Sequence, residues 1–122
     1  LLGEGLQHQD GHSHLNALAM PTVKAYDPAF AYELAVIVRE GIRRMYEEQE
    51  NLFYYITVMN ENYPMPKLPS SKGVKEGILK GMYKFKKSSK KNVKAKANLM
   101  GSGTILNEVL KAQEMLESKY KL

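Results

Sequence analysis

Apolar residues return along this chain in two rhythms. Between residues 28 and 48 they recur at steps of three and four: Phe30, Leu34, Ile37, Val38, Ile42 and Met45. That spacing makes one stripe on a helix of 3.6 residues per turn, with Arg39, Glu40, Arg43 and Glu47 falling largely elsewhere. Asp27-Pro28 predicts the helix start. The aspartate can accept orphan amide hydrogens, and proline has no amide hydrogen to waste at the first helical position. Two β-forming runs flank the helix. "TVKAY", residues 22–26, alternates and is rich in β-branched and aromatic residues. "LFYYITVM", residues 52–59, is apolar almost throughout, as expected of a strand buried on both faces. Strand, helix, strand predicts a βαβ unit with parallel strands and a right-handed crossover.

The same reading extends to both sides. Ser13 is placed to cap a short helix over residues 14–19, ended by Met20-Pro21. Lys72 to Lys80 predicts another short helix. "GMYKFKK" and "NVKAKANLM" read as strands joined by "SSKKN", with Val93, Ala95, Ala97 and Leu99 on one face and Lys94, Lys96 and Asn98 on the other. "GSGT", residues 101–104, turns into a last helix whose stripe is Ile105, Val109, Ala112 and Leu116, with Leu106 and Leu110 beside it. The fold class is α/β.

Charge changes this picture by dividing it. Residues 1–66 hold four Lys/Arg against nine Asp/Glu, and residues 67–122 hold fourteen against four. The change falls at "NENYPMPKLPSSKG", where three prolines lie within six residues, so a linker between two units is expected there. The chain has 122 residues and no cysteine, which excludes a disulfide framework and thiolate metal sites and fits a reducing compartment. The longest apolar run, Leu52 to Met59 with Thr57 inside it, has eight residues, too short to span a membrane. No signal peptide is visible, and the first residue is not methionine, so a piece of something longer is expected.

Candidate chemistry gathers in "GEGLQHQDGHSHL", residues 3–15, which holds all three histidines of the chain. His8, Asp10, His12 and His14 alternate with other residues. On an extended backbone that would put all four on one side, a set suited to zinc. The order differs from metallohydrolase loops, however, and no further histidine follows. A polar loop bonded to backbone and water is the plainer reading. Gly3, Gly5 and Gly11 imply tight turning or close approach. The loop also precedes a βαβ unit, so it should sit at the carboxyl edge of the strands, where α/β proteins place ligands. "GSGTIL" fails as a dinucleotide fingerprint because its sixth position is Leu106. Seven lysines lie between Lys84 and Lys96, but no aromatic residue interleaves from Lys86 onward. Nucleic-acid binding is therefore not expected.

"GEGLQHQDGHSHL", "YDPAFAYELAVIVREGIRRMYEEQENLFYYITVMNENYPMP" and "LMGSGTIL" together resemble the homodimeric bacterial type of the pyruvate dehydrogenase first component. The resemblance covers nearly the whole chain and is weakest through the lysine-rich stretch. It implies a longer, transketolase-like parent that uses thiamine diphosphate and Mg. Residues 1–62 would end its pyrimidine-binding middle domain, residues 63–72 would be the linker, and residues 73–122 would open its carboxyl-terminal α/β domain. The implied activity is decarboxylation of pyruvate and acetylation of a lipoyl group on a dihydrolipoamide acetyltransferase, in the cytoplasm. In the wider superfamily an active-site histidine precedes the proline that introduces the next strand. His8, thirteen residues before Pro21, is the match. Gln7, Asp10, His12 and His14 would support it as loop residues. Transketolases carry an arginine for the sugar phosphate after the strand matching "YYITVM". Here Asn60-Glu61-Asn62 follows, which favours a small unphosphorylated keto acid. The family's Gly-Asp-Gly metal–diphosphate run is not in these residues, nor is the glutamate that activates the cofactor. The rival readings are another transketolase-like keto-acid enzyme and a metal-binding or structural module built on the histidine loop.

Overall fold

The computed structural model describes residues 11–91, 93 and 95–121. Helix α1 covers Ser13–Leu18, strand β1 Val23–Tyr26, helix α2 Ala31–Ile42 and strand β2 Phe53–Ile56. Helix α3 covers Val74–Leu79, and helix α4 covers Ile105–Met115. α2 and α4 each end in a wider π turn, over Arg43–Glu47 and Leu116–Tyr120. The two strands are parallel neighbours in the register Val23 to Phe53 through Tyr26 to Ile56. The βαβ unit expected from the pattern is therefore present, and with it the α/β class.

α2 begins three residues later than Asp27-Pro28 predicts, and a different carboxylate serves its start. Glu33 is buried, and its Oε2 accepts the amide hydrogens of Ala29 at 2.6 Å and Phe30 at 3.4 Å. These are the orphan donors that a helix start must place. The buried face of α2 runs along Glu33, Ile37 and Gly41, each one turn from the last. Val38 and Ile42, counted in the predicted stripe, are 43% and 50% exposed. Gly41 lets the helix approach the sheet, since a Cβ there would stand 3.3 Å from the Tyr54 ring.

The core lies where α2 meets α3. Ile37, Val74 and Ile78 are buried together, with Tyr26, Tyr32, Val36, Tyr54, Ile56, Leu68 and Tyr83 packed around them. Polar ties reinforce the contact. The Tyr26 hydroxyl donates to the Leu79 carbonyl at 2.7 Å, satisfying one orphan acceptor at the end of α3. The Tyr83 hydroxyl donates to Glu33, and the Tyr32 and Tyr83 hydroxyls bond each other. Burial, followed by the bond to Glu33, pushes the Tyr83 hydroxyl far above its usual pKa, so it remains a donor.

Three other expectations need correction. β2 is four residues long, and Phe53, Val58 and Met59 are exposed, so "LFYYITVM" is not one strand buried on both faces. The two runs over 81–100 form no strands among the described residues. The first still alternates, with Tyr83 and Phe85 half-buried between exposed neighbours, because their rings pack against Tyr32 and Phe30. Alternation reports which side chains turn inward, and a strand also needs a neighbour to bond. In α4 the inward face runs through Leu106, Val109, Leu110 and Gln113, while Ile105 is 64% exposed.

Truncating Ile37 to alanine should cost about 2–4 kcal/mol of stability, the usual range for emptying a well-packed core site. Val38→Ala should cost less than about 1 kcal/mol, since that side chain is already half in water. Urea denaturation of the two variants checks the contrast. Equal losses would show that the predicted stripe, and not the observed face, is the core face.

Candidate site at the carboxyl edge of the strands

Both strands end in a polar residue. Asp27 follows β1 and Thr57 follows β2. Parallel pairing sets these two positions side by side, and the Thr57 hydroxyl donates to Asp27 Oδ1 at 2.6 Å. The pairing also continues one step past the strands, with the Thr57 amide donating to the Tyr26 carbonyl at 3.0 Å. The other Asp27 oxygen, Oδ2, accepts the Ser102 hydroxyl at 2.6 Å. The main-chain carbonyl of Asp27 accepts the amide hydrogen of Gly103 at 3.1 Å. One aspartate thus joins the ends of both strands to the turn that opens α4.

His14 completes the arrangement. Its Nε2 lies 3.0 Å from Thr57 Oγ1, and its ring meets the Tyr55 ring edge-on at a centroid separation of 5.3 Å. A threonine hydroxyl has one hydrogen to give. With that hydrogen on the Asp27 carboxylate, the Thr57 oxygen is an acceptor, so His14 Nε2 carries a proton. The chain of bonds His14–Thr57–Asp27 therefore sets the histidine's tautomer as well as the place of its ring.

His14 lies at the carboxyl edge, where the histidine loop is expected to be. His12 is exposed and stands at the start of α1, with its carbonyl accepting the Asn16 amide at 3.1 Å. The backbone turns helical between these two histidines. The extended alternation that would align them on one side therefore does not hold there. Gln7, His8 and Asp10 lie outside the described residues. Among the described residues no three His, Asp or Glu side chains gather to hold a metal ion.

Asp27, Thr57 and Ser102 were not singled out by the sequence. Asp27 reads locally as a helix cap, Thr57 is a lone hydroxyl inside an apolar run, and Ser102 lies in a glycine turn. The usable signal was Thr57. A hydroxyl near the end of an otherwise apolar strand needs a partner, and the end of the parallel neighbour is the nearest place to find one.

Elsewhere, the outer face of α2 forms a shallow groove of Ala35, Val38, Arg39, Ile42, Arg43 and Glu47. It includes no residue from the strand ends. Arg43, which lines it, and the neighbouring Arg44 serve local pairs. Arg43 reaches both Glu40 oxygens, at 2.9 and 2.6 Å, and also Glu48. Arg44 holds Glu50, with Nε 2.8 Å from Oε1. These guanidinium bonds hold the Glu40 and Glu50 carboxyls below their usual pKa.

Comparison with known proteins places the chain. The model of the pyruvate dehydrogenase E1 component middle domain matches residues 1–66. A protein of Pseudomonas aeruginosa named pyruvate dehydrogenase E1 component is 57% identical over 98% of this chain and 13% of its own length. The protein of that name from Escherichia coli K12 is 53% identical over 98% of this chain and 13% of its own length. Its namesake in Buchnera aphidicola subsp. Baizongia pistaciae is 57% identical over the whole chain and 13% of its own length. The chain thus spans about an eighth of these relatives.

Gly103 generates a test of this geometry. Its φ is +51°, a conformation that favours glycine, and a Cβ there would stand 3.0 Å from both Asp27 carboxylate oxygens. Gly103→Ala should cost about 1–2 kcal/mol of stability through backbone strain and displacement of Asp27. Gly11→Ala, where a Cβ meets nothing within 4 Å, should stay within about 0.5 kcal/mol. Thermal denaturation of the pair checks this.

Proposed function

The chain belongs to the pyruvate dehydrogenase E1 component family through its middle domain, and on that premise we propose that it serves a thiamine-diphosphate- and Mg-dependent enzyme that decarboxylates pyruvate. In this reading the acetyl group passes to the lipoyl group of a dihydrolipoamide acetyltransferase within a multienzyme complex. The longer protein acts as a homodimer in the cytoplasm. Residues 1–62 close its pyrimidine-binding domain, residues 63–72 link, and residues 73–122 open its carboxyl-terminal domain. The observation that carries the reading is identity of 49–57% to relatives of that name over 98–100% of this chain. A separate metal-binding module and a different keto-acid enzyme are not favoured by it.

Among the described residues none makes a seat for the cofactor's diphosphate and metal. The Gly-Asp-Gly run is not among them, and the described carboxylates and histidines gather in no metal-holding group. The cofactor supplies the carbon–carbon cleavage when bound. What this chain contributes is the histidine loop. His8 is the residue assigned to the reacting end, where an imidazole can hydrogen-bond the substrate's oxygen atoms and relay a proton near neutral pH. The position of His14 at the strand ends supports that assignment, because ligands of open α/β sheets bind at that edge. Asn60, Glu61 and Asn62, exposed after β2, offer no cation to a phosphorylated sugar, which supports a small keto acid.

In the full-length enzyme with cofactor saturating, His8→Ala should slow pyruvate turnover by about 10²- to 10⁴-fold, the usual cost of losing a positioned proton-relaying group. Cofactor affinity should stay within a few-fold, and His12→Ala should cost far less. Steady-state kinetics on both variants checks the assignment. A crippled His12→Ala beside a near-normal His8→Ala would reverse it. These 122 residues alone should neither turn over pyruvate nor hold thiamine diphosphate tightly. Low-micromolar binding in a calorimetric titration with Mg would contradict that expectation.

A further inference from the structure

The bonds that Asp27 makes to Thr57 and Ser102 at the strand ends have no part in the reading above. Asp27 receives one hydroxyl on each carboxylate oxygen, from Thr57 and Ser102 at 2.6 Å each. Its own carbonyl receives the Gly103 amide at 3.1 Å. With its hydrogen committed to Asp27, Thr57 can only accept from His14, at 3.0 Å. The Tyr55 ring, nearly perpendicular at 75°, fixes the plane of the imidazole. Each bond leaves one option for the next, so the rigid strand ends dictate both the tautomer and the orientation of His14. His14 stands six residues beyond His8 in the sequence, in the first turn of α1. A helix start pegged to a sheet edge limits where the residues joined to it can go.

We propose that Asp27, acting through Thr57, is a positioning residue that pegs the start of α1, which carries His14, to the carboxyl edge. Through Ser102 and Gly103 it also ties that edge to the turn opening α4. This explains "GSGT" by docking: Ser102 supplies the hydroxyl, and Gly103 supplies an amide at a place with no room for a side chain. The kinetic part of the proposal rests on the pyruvate-decarboxylating reading. The structural part does not.

The test uses the full-length holoenzyme carrying Thr57→Val, Thr57→Ser, His14→Ala or the Thr57→Val/His14→Ala pair. Valine keeps the shape of threonine and removes the hydroxyl, while serine keeps the hydroxyl. Thr57→Val should lower kcat by about ten- to a hundredfold, the scale expected when a reacting loop is misplaced. KM for pyruvate and thiamine diphosphate affinity should stay within a few-fold. Thr57→Ser should recover kcat to within a few-fold of the parent. The double variant should be no slower than His14→Ala alone, because both changes break one connection. Near-normal turnover in Thr57→Val, equal loss in Thr57→Ser, or multiplying losses in the double variant would each overturn the proposal. A second measurement does not depend on activity. Hydrogen–deuterium exchange over residues 12–19 should quicken in Thr57→Val and remain at the parent's rate in Thr57→Ser. If the parent enzyme consumes no pyruvate, the functional reading fails and exchange alone decides the peg. Unchanged exchange in Thr57→Val then overturns it.

Discussion

A carboxylate taken out of water must have its lone pairs filled, and Glu33 shows how much of this structure follows from that demand. At 6% exposure its charge would cost several kcal/mol if left unpaired. It is met by the Ala29 and Phe30 amides and by the Tyr83 hydroxyl. Those donors come from the bend before α2 and from the segment after α3, so satisfying one side chain brings three stretches of chain together. The bonds also set the rotation of α2. With Glu33 inward, residues one and two turns later face inward as well, and these are Ile37 and Gly41. Ile37 then meets Val74 and Ile78 to make the core. The missing side chain at Gly41 lets the Tyr54 ring lie against the helix. A strand pair only four residues long gains its support from this packing more than from its own ladder.

The parts legible in the sequence were those encoded by local periodicity. Two β-forming runs around a helical stripe gave a parallel pair, and the short helix read over Lys72 to Lys80 is α3. Rotation was less legible. Counting apolar residues placed Val38 and Ile42 inside, yet a buried acid shifts the inward face toward Glu33. Hydrophobic counting cannot see that, because it scores a glutamate as outward. Asp27 was misread for a related reason. Asp-Pro is a good local helix start, but a side chain that can cap a helix can equally accept hydroxyl groups from distant residues. Here the distant partners win because Glu33 already fills the cap. The alternating runs over 81–100 were read as a hairpin from side-chain pattern alone. That pattern describes Tyr83 and Phe85 correctly without requiring a strand partner. The role of His8 came from family resemblance, through its place thirteen residues before Pro21.

The two acids after β1 divide the work between fold and edge. Glu33 lies in the interior, where its bonds are fixed and shielded and where the charge serves only to hold segments together. Asp27 is half-buried at the strand ends, and its partners are two hydroxyl groups. Hydroxyl groups rotate, accept as well as donate, and can pass a hydrogen-bond direction onward, as Thr57 does to His14. A backbone amide in the same place would end the chain of bonds. An interior network of the Glu33 kind gives rigidity, whereas a hydroxyl-linked chain at the open end of the strands carries that rigidity outward to a loop. Loops at this edge hold the chemistry of α/β proteins because the scaffold beneath can position them. In this chain the scaffold's reach is visible bond by bond, from Asp27 at the strand ends through Thr57 to the imidazole of His14 at the start of α1. A short hydroxylated side chain makes that last connection, and the β-branch of threonine also suits its place at a strand end.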